Sequence, residues 1–151
     1  YMLGGTPLSG SNTATVTGTG TIGKADLSAT GTQVYDGTTV FGGSNLTVTG
    51  VDGQSFSATG SGVLSTANVQ TNQPLASVSG ISLTGNGGAQ TGNYNPLATS
   101  RTSVTVSPDP ILVSGTMVYN GTTSMPGSDL SAQAYLASTN TSYTFALTGN
   151  G

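Results

Sequence analysis

The stretch Val34-Tyr35-Asp36-Gly37-Thr38-Thr39 returns almost unchanged as Val118-Tyr119-Asn120-Gly121-Thr122-Thr123, an offset of 84 residues (118 − 34). Its flanks keep that offset: Gly31-Thr32 recurs as Gly115-Thr116, and Gly43-Ser44-Asn45-Leu46 as Gly127-Ser128-Asp129-Leu130. A second landmark, Phe56-Ser57-Ala58-Thr59-Gly60-Ser61-Gly62, matches Phe145-Ala146-Leu147-Thr148-Gly149-Asn150-Gly151 at an offset of 89 (145 − 56). The five extra residues fall between Ala132 and Phe145, where a loop of free length is expected. A period of this size exceeds the roughly 20 to 50 residues of a solenoid coil and matches one small domain. The chain therefore reads as an array of domains.

The residues after Tyr1 run down to Lys24-Ala25-Asp26-Leu27 as those after Gly92-Asn93-Tyr94 run to Asp109-Pro110-Ile111. On this basis residues 1–24 are the C-terminal part of a preceding repeat, 25–108 one complete repeat, and 109–151 the N-terminal part of the next. A unit of this length buries a small core and leans on its neighbours for stability. At the repeat junction, Ser107-Pro108-Asp109-Pro110 carries two prolines, which remove donors and stiffen the backbone.

Within a unit the period is that of strands. Residues 13–22 alternate Thr with small or apolar residues, and 27–35, 45–51, 55–64, 75–83 and 103–106 give further strands anchored by Leu27, Leu46, Val48, Val78, Ile81, Leu83 and Val104. Turn signals at Asp36-Gly37, Asp52-Gly53 and Gly85-Asn86-Gly87-Gly88 separate them, and Thr71-Asn72-Gln73-Pro74 reads as a connection. No segment carries apolar residues at the 3.6 spacing of a long helix. Short strands with turn signals every 8 to 12 residues predict an all-β fold of tandem small antiparallel β-sandwich, Ig-like repeats, with a β-solenoid as the alternative.

Composition removes most chemistry. There is one Lys (Lys24), one Arg (Arg101), five Asp, and no Glu, His or Cys, for a net charge of −3. Nucleic acid is disfavoured because phosphate binding needs clustered Lys and Arg. Without Cys there are no disulfides or thiolate metal sites, and without His and Glu the usual acid–base groups are missing, so the chain is read as no enzyme. No cofactor is expected. Calcium is the one metal left open, through Asp36 or Asp52 with backbone carbonyls, although no Asp-x-Asp spacing occurs. An intramolecular isopeptide bond from Lys24 would need that lysine buried beside an acid. Recurring Val, Ile and Thr at spacing two argue against disorder.

Three stretches, at Asn45, Asn120 and Asn140, fit the glycosylation acceptor pattern, which is common by chance in a Ser- and Thr-rich chain. Tyr35-Asp36-Gly37 and Tyr119-Asn120-Gly121 are read as structural corners, each with a positive-φ glycine and a tyrosine that buries its ring and bonds through its hydroxyl. The Thr face at 13–21 is read as a solvated strand face; the sharper reading, an ordered Thr array of the sort that ice-binding surfaces use, fails because no other strand repeats the pattern.

Taken together, the Tyr-Asp-Gly corner, Leu46 to Gly50, Phe56 to Gly62, Ala67-Asn68-Val69, Val78 to Gly85 and Gly92-Asn93-Tyr94 resemble the YDG repeat. That resemblance covers essentially the whole chain. It implies a glycine-rich, mostly-β module occurring in tandem in very large bacterial surface and secreted adhesins, haemagglutinin-like proteins of two-partner secretion among them. The chain departs from the motif at Asn120 and in the longer Ala132–Phe145 segment.

The expected role is a structural stalk or spacer of an extracellular repetitive adhesin or biofilm-matrix fibre, at the bacterial cell surface, projecting a distal binding region. Its partners would be neighbouring repeats of the same chain and like molecules in a fibre or matrix, with no nucleic acid and no membrane insertion of this segment. Two alternatives stand beside it: a self-assembling fibre or sheath subunit joined by β-strand addition, and a carbohydrate-binding module using Tyr135 and Tyr143, which would need its aromatics on one surface.

Overall fold

The computed structural model describes residues 2–3, 6–7, 18–136 and 140–149. These residues form β1 (Met2–Leu3), β2 (Thr6–Pro7), β3 (Ser28–Val34), β4 (Val40–Gly42), β5 (Leu46–Thr49), β6 (Ser55–Val63), β7 (Gln70–Gln73), β8 (Ile81–Gly85), β9 (Thr102–Ser107), β10 (Leu112–Gly115), β11 (Leu130–Leu136) and β12 (Thr141–Phe145). Short 3-10 turns connect several of them, and none of the described residues forms an α-helix. No helix among them is long and apolar enough to cross a membrane.

β3 to β9 make one sheet in the order β4-β6-β5-β3-β9-β7, with β8 also paired to β6. Side-chain alternation sets which face is inside. On β9, Thr102, Val104 and Val106 are buried while Ser103, Thr105 and Ser107 are partly exposed, and on β5 Leu46 and Val48 are buried while Thr47 is exposed. β6 carries the sheet over on itself. Its first half pairs with β5 at Val48↔Phe56 and Thr49↔Ser55, and its end pairs with β4 from Val40↔Val63 to Gly42↔Ser61. The change of partner falls at Gly60, whose φ of +78° bends the strand.

The folded-over sheet encloses a single core in which Phe41, Val48, Leu75 and Val104 are almost fully buried. Each such side chain stabilises the unit by roughly 1.5–3 kcal/mol, which is what lets a glycine-rich chain fold. The architecture is all-β and sandwich-like, neither closed into a barrel nor wound as a solenoid.

Four expectations need correction. Residues 70–73 are strand β7, not a connection; β7 is an edge strand on β9, so Pro74 just past its end removes no ladder bond. Of residues 75–83 only 81–83 lie in a strand, β8, while Val40–Gly42, too short to read from alternation, forms β4. Of the Thr-rich stretch 13–22, residues 13–17 lie outside the described residues and 18–22 are exposed and not in a strand. Finally, the sheet is not purely antiparallel: β3 and β9, first and last of the unit, run parallel from Ala29↔Thr102 to Val34↔Ser107.

The next repeat begins in the same register. β10 and β11 pair from Leu112↔Gln133 to Gly115↔Leu130, the image at 84 residues of Ser28↔Thr49 to Gly31↔Leu46 on β3 and β5. Ala132↔Phe145 on β11 and β12 then reproduces Val48↔Phe56. The five extra residues are not a free loop. They lengthen the hairpin, adding the pairs Ala134↔Tyr143, Tyr135↔Ser142 and Leu136↔Thr141.

Candidate functional site: the junction between repeats

At each corner the acidic or amide side chain folds back over the turn. Asp36 Oδ1 accepts from the Thr38 N–H and the Thr38 hydroxyl, both at 2.9 Å, and Asn120 Oδ1 accepts from the Thr122 N–H at 3.0 Å and its hydroxyl at 2.8 Å. Gly37 and Gly121 follow at φ +75° and +81°. The turn thus asks for an acceptor oxygen and not for a charge, so Asp and Asn exchange between copies.

The two tyrosines differ from the expected corner. Tyr35 is half-buried at the edge of the core, and its hydroxyl makes no hydrogen bond among the described residues. Tyr119 is 88% exposed. The reason is tertiary: Tyr35 packs against the core of its own unit and lines the cleft toward the next repeat, whereas none of the described residues covers Tyr119.

Across the cleft from Tyr35 stands the lengthened hairpin. Because β5 runs antiparallel to β3, the β5–β6 hairpin points toward the entry end of its unit, and the matching β11–β12 hairpin points back at the preceding unit's exit end. Leu136 Cδ1 lies 3.4 Å from the point a Cβ on Gly37 would occupy. Between the two units is a cleft of about 660 Å³, lined by Tyr35 and Val69 on one side, Leu136, Tyr143 and Phe145 on the other, and the linker's Pro108 and Ile111. Asp109 also faces the cleft, and its Oδ2 is buried with no partner among the described residues.

In the complete unit the matching hairpin is closed by Tyr94, a residue that sequence reasoning used only as a landmark. Its hydroxyl accepts from the Val51 N–H at 3.2 Å and donates to Gln54 Oε1 at 2.7 Å, and its ring stands edge-on to Phe56 at 5.1 Å between centroids. Gly50 lies beneath that ring, where a Cβ would come within 2.5 Å of it. The following repeat has Ala134 at the corresponding place, and there Phe145 is 45% exposed where Phe56 is 3%. The signal in the sequence was the pairing of a late Gly-Asn-Tyr with an isolated Gly50 between strands.

The remaining polar candidates are dispersed. Asp26 pairs with Arg101 at 2.6 Å and also accepts from Asn95 Nδ2, but both charged side chains are about half exposed, so the pair contributes little. Asp52 sits at φ +52° in the Val51–Gly53 turn and Asp129 accepts from the Ser128 hydroxyl. No group of three or more metal-ligating side chains occurs among the described residues. Lys24 is exposed, not buried as isopeptide chemistry would need. Of the glycan acceptors, Asn45 donates to Gln33, Asn140 accepts from the Tyr135 hydroxyl, and all three, with Asn120, are exposed. Tyr143 stands opposite Ala134 while Tyr135 is opposite Ser142, so these two aromatics point to opposite faces of the hairpin and form no shared platform.

Compared with known proteins, residues 24–103 match the model of one family, described as the YDG domain. No curated protein and no solved structure matches the chain.

Proposed function

The chain belongs to the YDG domain family, and from that premise we propose that it is a stalk segment of an extracellular, repetitive bacterial adhesin or matrix fibre of the haemagglutinin-like, two-partner secretion kind. The observation that carries this reading is the parallel pairing of β3 with β9. A unit whose first and last strands run the same way takes in the chain at one end and releases it at the other. Units built so can follow head to tail, each adding at least the length of its seven-residue first strand, about 20 Å. The linker of residues 108–111 is short and holds Pro108 and Pro110, which favours a rod over a string of loose beads. With few charges and the ion pair exposed, such a rod depends little on salt.

The test is the polypeptide in its native source. A chain far larger than 14.8 kDa with further Tyr-Asp-Gly peptides, seen by electron microscopy as a thin rod lengthening by a constant step per repeat, is the expected result. Particles that stay compact as repeats are added would overturn it.

One observation favours the second reading, a subunit polymerised by strand addition. β10 pairs with β11 alone among the described strands, whereas its counterpart β3 has β9 on its other side. A native species near 15 kDa forming fibres would make that reading the right one.

A further inference from the structure

We propose that Asn120 is a self-modifying residue, converted in place to an acid through a cyclic imide formed with Gly121. The residue after it has no side chain to hinder attack, and both are exposed. The Gly121 N–H makes no hydrogen bond among the described residues, so this nitrogen is free to act as the nucleophile. The Asn120 carboxamide is folded back over the same turn, its Oδ1 receiving the Thr122 N–H at 3.0 Å and the Thr122 hydroxyl at 2.8 Å. As Gly121 N attacks Cγ, negative charge gathers on that oxygen, and two donors are already near it, the N–H and a hydroxyl whose longer alternative acceptor is Ser124 O at 3.3 Å, the arrangement that stabilises a tetrahedral oxyanion. The leaving group is loosely held: Asn120 Nδ2 has only the Met117 sulfur, at 3.9 Å, a weak acceptor.

The step balances without any oxidant or reductant. The Gly121 N–Cγ bond forms, the Gly121 proton passes through solvent to Nδ2, the Cγ–Nδ2 bond breaks and ammonia leaves. Water then opens the ring at one carbonyl or the other, giving an aspartyl or an isoaspartyl residue. The aspartyl product restores in this copy the acid that the first copy has at Asp36, whose Oδ1 accepts the same two donors, so the corner keeps its hydrogen bonds. Each event adds one negative charge to a chain that carries few.

Of the two other Asn-Gly pairs, Asn150-Gly151 lies outside the described residues and Asn86-Gly87 serves as an internal control. Asn86 precedes Gly87, yet its Oδ1 accepts from the Ser57 hydroxyl at 2.9 Å and its Nδ2 donates to Ser55 Oγ at 3.4 Å, which holds the carboxamide across to β6 and away from Gly87.

The experiment is to keep the full chain folded in neutral buffer for weeks and follow both sites by peptide mapping and mass spectrometry, beside the same chain in denaturant. Conversion at Asn120 is expected to outpace Asn86 by about tenfold when folded, with the ratio collapsing in denaturant. Thr122→Val, at an exposed position and checked for an unchanged melting curve, is expected to slow Asn120 several-fold while leaving Asn86 alone. Equal rates at the two sites in the folded chain, a ratio that survives denaturation, or a Thr122→Val chain that converts at the original rate would each overturn the proposal.

Discussion

At the scale of the residue, the corner motif is explained by two atoms and one dihedral angle. Gly37 at φ +75° occupies the left-handed region, where a side chain costs about 1–2 kcal/mol and a β-branched one more. Gly37→Val is therefore expected to lower stability by more than about 1 kcal/mol in a denaturant titration. An unchanged midpoint would show that the turn does not depend on glycine. At Asp36 only the acceptor oxygen is common to both copies. Asp36→Asn is expected to cost under about 1 kcal/mol, and Asp36→Ala, which removes the acceptor of both Thr38 hydrogen bonds and of a longer one from Gln33 Nε2, about 1–2 kcal/mol. If the two variants melted alike, the shared-acceptor account of the Asp/Asn exchange would fail.

At the scale of the element, the β5–β6 hairpin exists in two versions that solve one problem differently. The short version has Tyr94 over its base, tied to Val51 and Gln54; the long version replaces that plug with extra strand pairs. Tyr94→Phe is expected to cost about 1–2 kcal/mol through the unpaired Val51 N–H and Gln54, with the ring contact to Phe56 retained. Gly50→Ala pushes a methyl into the ring and is expected to cost about 1–3 kcal/mol. Because both act on one contact, Gly50→Ala should cost much less in a Tyr94→Ala background, and a double-mutant cycle measures that coupling. Strict additivity would mean the glycine is there for another reason. This pairing was only half legible: Gly-Asn-Tyr stood out as a landmark, but nothing local says that a residue at 94 lies on one at 50. The same limit hid β7 and β4, which are short edge strands whose alternation spans too few residues to register.

At the scale of the whole molecule, the question is how firmly one repeat is set on the next. The contact is apolar and one-sided: Leu136 from the long hairpin lies over the Tyr35-Asp36-Gly37 corner, beside a cleft that leaves Ile111, Val69 and Tyr143 about half exposed. Leu136→Asp places a charge against that corner without touching the core of the complete unit. Its expected effect is a broader spread of inter-repeat angles, read by small-angle X-ray scattering or by distances between paired spin labels, with the melting of residues 24–107 unchanged. Identical scattering from the variant would assign the stiffness of the junction to Pro108 and Pro110 alone.

What the sequence determined by itself was whatever is local or periodic. The 84-residue offset dictates two copies of one turn, because a turn is closed by its own few residues, and both copies have the positive φ and the two hydrogen bonds. Alternation of Val, Leu and Ile with Thr and Ser decided the all-β class, since it marks which face of a strand is dry. The tertiary structure alone decided the rest. That β9 lies parallel to β3, giving the unit opposite entry and exit, depends on partners 73 residues apart (102 − 29) whose pairing leaves no mark in either strand. Tyr35 half-buried and Tyr119 exposed carry the same motif; only what packs beside each tells them apart, since distant residues of its own unit's core lie against Tyr35 and none of the described residues covers Tyr119.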